Sequence, residues 1–352
     1  MSARAACRRI GARISAHTTR RLSSRRSPRG VRARSAARRG VWDAGRLLGP
    51  AVVVALLPSA GLRAQAPQDS TILRAAGIRW FPDTTAFAPL LAAPRETWLR
   101  GGFIVADRPD LDDGDLSPRE NPRRLGDFDG ANLEAEVALG LRFPVALLQP
   151  ETRRGPSISI GFETGIFVRF FMETSEKDLI NSDFRVGAPV AFGYRGWEAR
   201  IELRHMSSHL GDDFVARFDP EFRQVSQDGF ELILARRFLR DLRLYAGGEW
   251  NFNLSSLDVV ERGAGRWGLE FDPGWRDGGR HVWPFAAADF RITSLTDEVA
   301  GTGVGGVAFR VGTVGLRLET RGHFGPSPMG QLRTFDENFW GLGLRIEPRG
   351  IF

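Results

Sequence analysis

Cysteine is almost missing from this chain of 352 residues: the single one, Cys7, lies in an arginine-rich leader, and residues 67–352 have none. Disulfides, thiolate nucleophiles and cysteine-ligated metals are therefore excluded from that part of the protein. Lysine is as scarce, with Lys177 standing alone among the 49 basic residues. A long hydrophobic run is lacking too. The apolar stretch 47–62 (LLGPAVVVALLPSAGL) has 16 residues and is broken by Pro50 and Pro58, whereas a spanning helix needs ~20. The body also lacks an excess of positive charge. The whole chain carries a net charge of +7, yet residues 1–66 hold 15 arginines against one acid, Asp43, which leaves 34 basic and 41 acidic residues beyond them. A net charge of −7 there excludes a basic, nucleic-acid-binding body.

The front end reads as an address. Arg46 precedes the apolar stretch, and Ala64-Gln65-Ala66 follows it with the small-x-small pattern of a signal-peptidase site, although Pro67 is an unfavourable next residue. The arginine-rich residues 1–40 fit a basic arm, a long signal n-region, or a start placed upstream of Val31 or Val41. From Val41 the signal would have 26 residues, an ordinary length. The expected division is a leader and secretory signal over 1–66, a periplasmic segment over 67–95, and a folded body over 96–352.

That body alternates. Leu242, Leu244, Ala246, Gly248, Trp250, Phe252 and Leu254 are apolar or small, and Arg243, Tyr245, Gly247, Glu249, Asn251 and Asn253 lie between them. The stretches 156–172 and 314–323 do the same. Successive side chains of a strand point to opposite faces, so each stretch has one apolar and one polar face. Gly and β-branched residues within the segments exclude helices. Strand length separates a membrane barrel from a soluble sandwich: these stretches run 10–15 residues, where globular strands average ~5–6 and membrane strands need ~9–11. Trp98, Trp197, Trp250, Trp267, Trp283 and Trp340 fall near segment ends, as interfacial aromatics do.

The pattern predicts an all-β fold, an antiparallel transmembrane β-barrel. Its strands are expected at 97–106, 132–143, 156–172, 183–194, 197–207, 229–239, 242–254, 266–272, 282–293, 303–311, 313–323 and 337–347. Twelve is even, as single-chain bacterial barrels require. Connections alternate between long and short, which gives long external loops and short periplasmic turns with both termini periplasmic. The last strand, ending near Phe352, is expected to engage the barrel-assembly machinery. The expected surroundings are outer-membrane lipids, including lipopolysaccharide. The polar face carries mixed charges (Glu198, Arg200, Glu202 and Arg204; Arg317, Glu319 and Arg321). Buried charges must be paired, so a lumen filled by ion pairs is expected rather than a wide channel.

His205 and Ser207 are two residues apart and share the lipid-side parity of Trp197, Ile201 and Leu203. A serine beside a histidine is the minimum for an activated nucleophile, and an acid must orient the imidazole. The phrases HMSSHLGDDF, FAPLLAAPRE (87–96) and RLYAGGEW (243–250) resemble a bacterial family, domain of unknown function 1207. More distantly, His205-Met206-Ser207 is similar to the His-x-Ser motif of PagL-type lipid A 3-O-deacylases, barrels with a Ser-His-Glu triad on the outer wall. Their Asn-Asp-Gly-hydrophobic-Glu segment resembles Gln227-Asp228-Gly229-Phe230-Glu231. That resemblance implies a lipid-directed serine esterase with Ser207 as nucleophile, His205 as base and Glu231 as orienting acid. Ser208 stands where that motif carries Asn, and the intervening loop is longer. A three-residue His-x-Ser match is weak by itself, and the residues alone also fit a rigid rim turn in which Ser207 and Ser208 satisfy backbone groups and Gly211 permits the bend.

Other clusters carry less. Asp110, Asp112, Asp113 and Asp115 lack EF-hand spacing and read as a solvated acidic loop. His205 and His209 with Asp212 and Asp213 hold metal-ligating groups, but in a strand context. Gly301, Gly303, Gly305 and Gly306 have no Walker lysine after them and read as barrel bends. No cofactor and no metal is expected, and a narrow pore is the remaining alternative.

Overall fold

The computed structural model describes residues 77–107, 132–149, 155–218, 225–239, 241–255, 260–274 and 281–348. The leader, the Asp110 to Asp115 loop and Phe352 lie outside the described residues. Among those described, thirteen strands follow in chain order: β1 (Ile78–Trp80), β2 (Leu99–Asp107), β3 (Asn132–Leu148), β4 (Ser157–Phe171), β5 (Leu179–Tyr194), β6 (Trp197–Leu210), β7 (Val225–Phe238), β8 (Leu242–Leu254), β9 (Gly263–Phe271), β10 (Val282–Thr293), β11 (Val299–Val311), β12 (Val314–Phe324) and β13 (Asn338–Pro348). A short helix, α1 (Asp212–Phe218), follows β6. From β2 to β13 each strand pairs antiparallel with the next, and β13 returns to β2 from Asn338↔Asp107 to Ile346↔Leu99. The sheet is thus a closed twelve-strand antiparallel barrel without free edges, the form in which strands satisfy all backbone groups in lipid.

The two wall faces differ as period two demands. Phe103, Leu141, Phe143, Ile160, Leu203, Leu232, Leu234, Leu269, Leu318 and Leu342 point outward and are exposed, in a belt that crosses most strands of the ring. An apolar girdle of that extent has no place in water and marks a membrane barrel. The other face is polar and buried. Arg169, Arg243 and Arg345 are among the most buried large side chains, and Glu134, Glu202, Asn251 and Glu337 are fully buried. Arg185 clasps Glu202 through both carboxylate oxygens at 2.7 and 2.6 Å. Glu231 receives Arg200 at 2.7 Å and Arg266 at 3.0 Å, and Glu249 receives Arg204 and Arg291 at 2.6 and 2.7 Å. Pairing at this density is what lets the charges stay ionised away from water.

The turns at one end are tight. Tyr194-Arg195-Gly196-Trp197 places Arg195 (φ 49°) and Gly196 (φ 83°) in the left-handed region, the two-residue turn that matches hairpin twist. Connections at the other end are longer. Among the described residues Phe171, Ile180, Phe214, Met329 and Leu332 form a small core there, with the last two on the β12–β13 connection.

β1 and β2 are two pieces of one strand position, because both run antiparallel to β3: Ile78 to Trp80 opposite Leu148 to Ala146, and Leu99 to Ala106 opposite Leu139 to Asn132. Between them Phe81 donates to the Val145 carbonyl and Gly140 donates to the Trp98 carbonyl, both at 2.9 Å. β3 advances five residues between those bonds while the facing chain advances seventeen. The surplus turns into the lumen. Residues 86–97 reach strands around the whole ring: Ala86 N–H meets Ser159 on β4 at 2.9 Å, Arg243 on β8 meets the Ala88 carbonyl at 3.0 Å, Leu91 N–H meets Glu270 on β9 at 2.6 Å, and Arg345 on β13 meets the Leu91 carbonyl at 2.9 Å. Only an interior segment can touch all of these.

Of the segment 67–95 read as periplasmic, residues 86–95 lie inside the lumen instead. The reason is solvation: Phe87, Leu90, Leu91, Ala92 and Ala93 are almost wholly buried, packed on Tyr245, Ile233, Trp283, Phe285 and Val304, and would be exposed to water in the periplasm. β3 also runs five residues past its expected end at 143. Pro144 reads as a strand terminator, but its missing N–H falls on the side the neighbouring chain has vacated, and a bulge follows at Pro144/Ala146. At Gly140 the returning chain passes so close that a Cβ would meet the Thr97 and Trp98 backbone.

Candidate functional site

β6 alternates strictly until its end. Arg200 and Glu202 turn inward and are buried, whereas Ile201, Leu203 and His205 turn outward. Ser207 continues the outward row, half-buried, and Ser208 turns inward, where its hydroxyl donates to Asp183 at 2.5 Å. On β7 the inward row is Gln227, Gly229, Glu231 and Ile233, and the outward row is Ser226, Asp228, Phe230 and Leu232.

His205 and Ser207 therefore share the outer wall, as their spacing requires, and Glu231 does not join them. Its carboxylate lies in the lumen, 1% exposed and bound to Arg200 and Arg266, with the sheet between it and His205. The acid that meets the histidine is Asp228. His205 Nδ1 lies 2.6 Å from Asp228 Oδ1, and the two side chains are 49% and 30% exposed, which fixes the pair on the outside. His205 and Asp228 are direct partners across β6–β7, and Asp228 and Asn253 are direct partners across β7–β8. Asn253 Nδ2 donates to the second carboxylate oxygen at 2.6 Å. A register shift between Asp228 and Gly229 lets β8 advance two residues for one on β7. That bulge brings Asn253 onto the outer face, the re-aiming such irregularities perform beside functional sites.

The chemistry follows from the contacts. A carboxylate on Nδ1 holds the proton on that nitrogen and leaves Nε2 as the acceptor. Ser207 lies two residues along the same outward row, about 7 Å along an extended strand, and no hydrogen bond joins it to His205 in this structure. Beside the row lies an apolar platform, with Phe230 and Phe252 rings 5.5 Å apart and Trp250 and Leu203 exposed.

Sequence reasoning misses Asp228 although it lies inside the Gln227–Glu231 motif. The signal was parity: Asp228 falls in step with Phe230 and Leu232, and Glu231 with the inward residues. His205 and His209 share a face but stand four residues apart on an extended strand, roughly 13 Å, and Asp212 and Asp213 belong to α1. Among the described residues no three His, Cys, Asp or Glu side chains gather as a metal site would. Gly301, Gly303, Gly305 and Gly306 lie within β11, paired on both sides.

The sequence profile described as "Protein of unknown function (DUF1207)" matches residues 121–347. No curated protein matches the sequence. Solved structures similar to this chain include outer membrane phospholipase A from Escherichia coli, with a TM-score of 0.49, 11% identity and coverage of 76% of this chain and 95% of that one. The outer membrane phospholipase dimer of Salmonella typhi follows, with a TM-score of 0.49, 9% identity and coverage of 72% and 91%. The β domain of the Bordetella autotransporter BrkA has a TM-score of 0.38, 14% identity and coverage of 70% and 97%.

Proposed function

The chain belongs to the DUF1207 family, and on that footing we propose that it is an outer-membrane serine hydrolase that cleaves acyl esters of lipids from the outer wall of its barrel. The observation that carries the proposal is the His205–Asp228 contact of 2.6 Å on the lipid side, with Ser207 two residues along on the same face. Export by the secretory signal within residues 1–66, insertion through the assembly machinery and residence among outer-membrane lipids, including lipopolysaccharide, complete the picture. In the reaction His205 Nε2 takes the Ser207 proton as the oxygen attacks the ester carbonyl. It returns that proton to the departing alcohol oxygen, and water then releases the acid from the acyl-serine by the same steps. Asp228 holds the imidazole in its tautomer, and Asn253 holds Asp228. The platform of Leu203, Phe230, Trp250 and Phe252 offers an acyl chain a surface continuous with the membrane.

Transport through the lumen has the interior against it. Residues 86–97 cross it, and its paired charges leave no polar file of one sign. The test is acyl release by the full chain, folded in mixed micelles with phospholipid or a lipid A-like ester. Turnover is expected from the wild type and from neither Ser207→Ala nor Asp228→Ala. Equal turnover in Ser207→Ala, or none in a folded, lipid-embedded wild type, refutes the proposal.

A further inference from the structure

The lumen is paired almost throughout. Arg100, Arg142, Arg169, Arg200, Arg243 and Arg345 each meet a carboxylate. Arg310 is different. It shares the inward parity of Val304 and Ala308 on β11, yet among the described residues no carboxylate meets its guanidinium, and its Nη1 is buried without a hydrogen-bond partner. It lies over the Trp283 ring at 5.4 Å and borders a cavity of about 340 Å³. Arg317 borders the same space; its Nε and Nη2 are taken by Glu347 at 2.6 Å and Asp272 at 2.8 Å, and its Nη1 is unpartnered. The rest of the lining is mixed: Ala88 and Pro89 of the inner segment and the rings of Trp98 and Trp283 are apolar, and Asp83, Thr84 and Thr85 add polar groups. Trp283 is fixed by its N–H bond to Asp272 at 2.7 Å and by the backbone of Gly274, too close for any Cβ. Thr313, Val314 and Pro348 form the rim, so the space lies at the tight-turn end. The Phe214, Met329 and Leu332 core lies at the opposite end.

A half-buried guanidinium with one nitrogen shut off from water and no carboxylate on it, beside an aromatic wall, is an anion receptor, because a charge-assisted bond there replaces an unmet donor. The volume falls at the lower end of ligand pockets, ~300–1,000 Å³. We propose that this cavity binds a small amphiphilic anion, one carboxylate, sulfonate or phosphate on a flat apolar body, which enters from the tight-turn side. Arg310 receives the anionic group, and the body lies between Trp98 and Trp283. This site is on the opposite side of the wall from Ser207 and independent of it.

The test is calorimetric titration of the full chain in detergent micelles with 2-naphthoate, against protein-free micelles, with neutral 2-naphthalenemethanol as comparator. Saturable 1:1 binding of the anion is expected, with the neutral analogue weaker by on the order of tenfold or more. Arg310→Gln is expected to lose a similar factor while its far-ultraviolet circular dichroism stays that of the wild type. Arg236→Gln removes an equal charge from the outer wall and is expected to bind as the wild type does. Equal affinity for the neutral analogue overturns the proposal without any variant. So does the absence of saturable binding, or unchanged affinity in folded Arg310→Gln.

Discussion

Glu96 is the clamp that holds the inner segment, and Glu96→Ala is the perturbation that tests it. Its carboxylate is fully buried, contacted by Arg142 on β3 and bound by Arg200 on β6 at 2.6 and 3.2 Å. Removing one partner of a buried ion pair costs about 3–5 kcal/mol, because the surviving charge is left unmet. Here both arginines keep a second contact, Arg200 with Glu231 at 2.7 Å and Arg142 with Glu163 at 3.5 Å. The cost therefore belongs at the lower end, about 3 kcal/mol, which corresponds to roughly a hundredfold rise in the population with the segment released. A thiol reports that population directly, since residues 67–352 contain no cysteine. Ala92 is 1% exposed, so Ala92→Cys with Cys7→Ser labels only when the segment opens. When opening and closing are fast, the labelling rate scales with the open fraction. Glu96→Ala is expected to raise that rate by about two orders of magnitude while the barrel keeps its strand signal in circular dichroism. A rate within about threefold of the parent would refute the assignment of Glu96 as the clamp.

Four further outcomes follow from other contacts of the barrel. Asp228→Asn is expected to lower acyl-ester turnover by about three to four orders of magnitude, because an amide no longer holds the correct imidazole tautomer. Glu231→Gln, confined to the lumen, is expected to lower stability in guanidinium titration and leave the turnover of folded protein near that of wild type; the reverse ranking would sink the outer-wall assignment. At the end of the barrel with the longer connections, burial by itself pushes the Glu261 carboxyl up, but Arg333, at 2.7 Å, and Arg291 outweigh it and hold it at about 2. A carboxyl held below its ordinary value of 4.5 adds stability above that pH and loses it as the pH falls toward 2. Hydrogen exchange over 325–337, corrected for its intrinsic pH dependence, should quicken below about pH 4, and unchanged protection there would count against the pairing. Finally, Gly140→Ala places a Cβ against the Thr97 and Trp98 backbone and is expected to destabilise the barrel by about 1–3 kcal/mol in denaturant unfolding.

Sequence alone determined the barrel, and the reason is local. A strand in a membrane wall exposes every second residue to lipid and every second one to the interior, so the period-two pattern, strand length and loop alternation all repeat one physical constraint. Twelve of the thirteen strands were legible that way, as was the mixed-charge face that becomes the ion-paired lumen. Boundaries were less legible where the pattern weakens: β9 begins at Gly263, ahead of the expected 266, and β3 runs through Pro144.

Tertiary structure decided what depends on who stands opposite whom. The apolar phrase at 87–93 fits a helix, a membrane contact or a core equally well in one dimension. Only the closed ring, with β1 and β2 sharing one position, shows that it fills the lumen. The same holds for the site. His205 and Ser207 share a strand, so their common face could be read from spacing, but the acid comes from the neighbouring strand. Cross-strand register puts Asp228, and not Glu231, against His205, and the bulge turns Asn253 outward beside it. Arg310 likewise looks like any other inward arginine until the partners of all its neighbours are known. Periodicity fixes the face a side chain takes, whereas register and closure fix its partner.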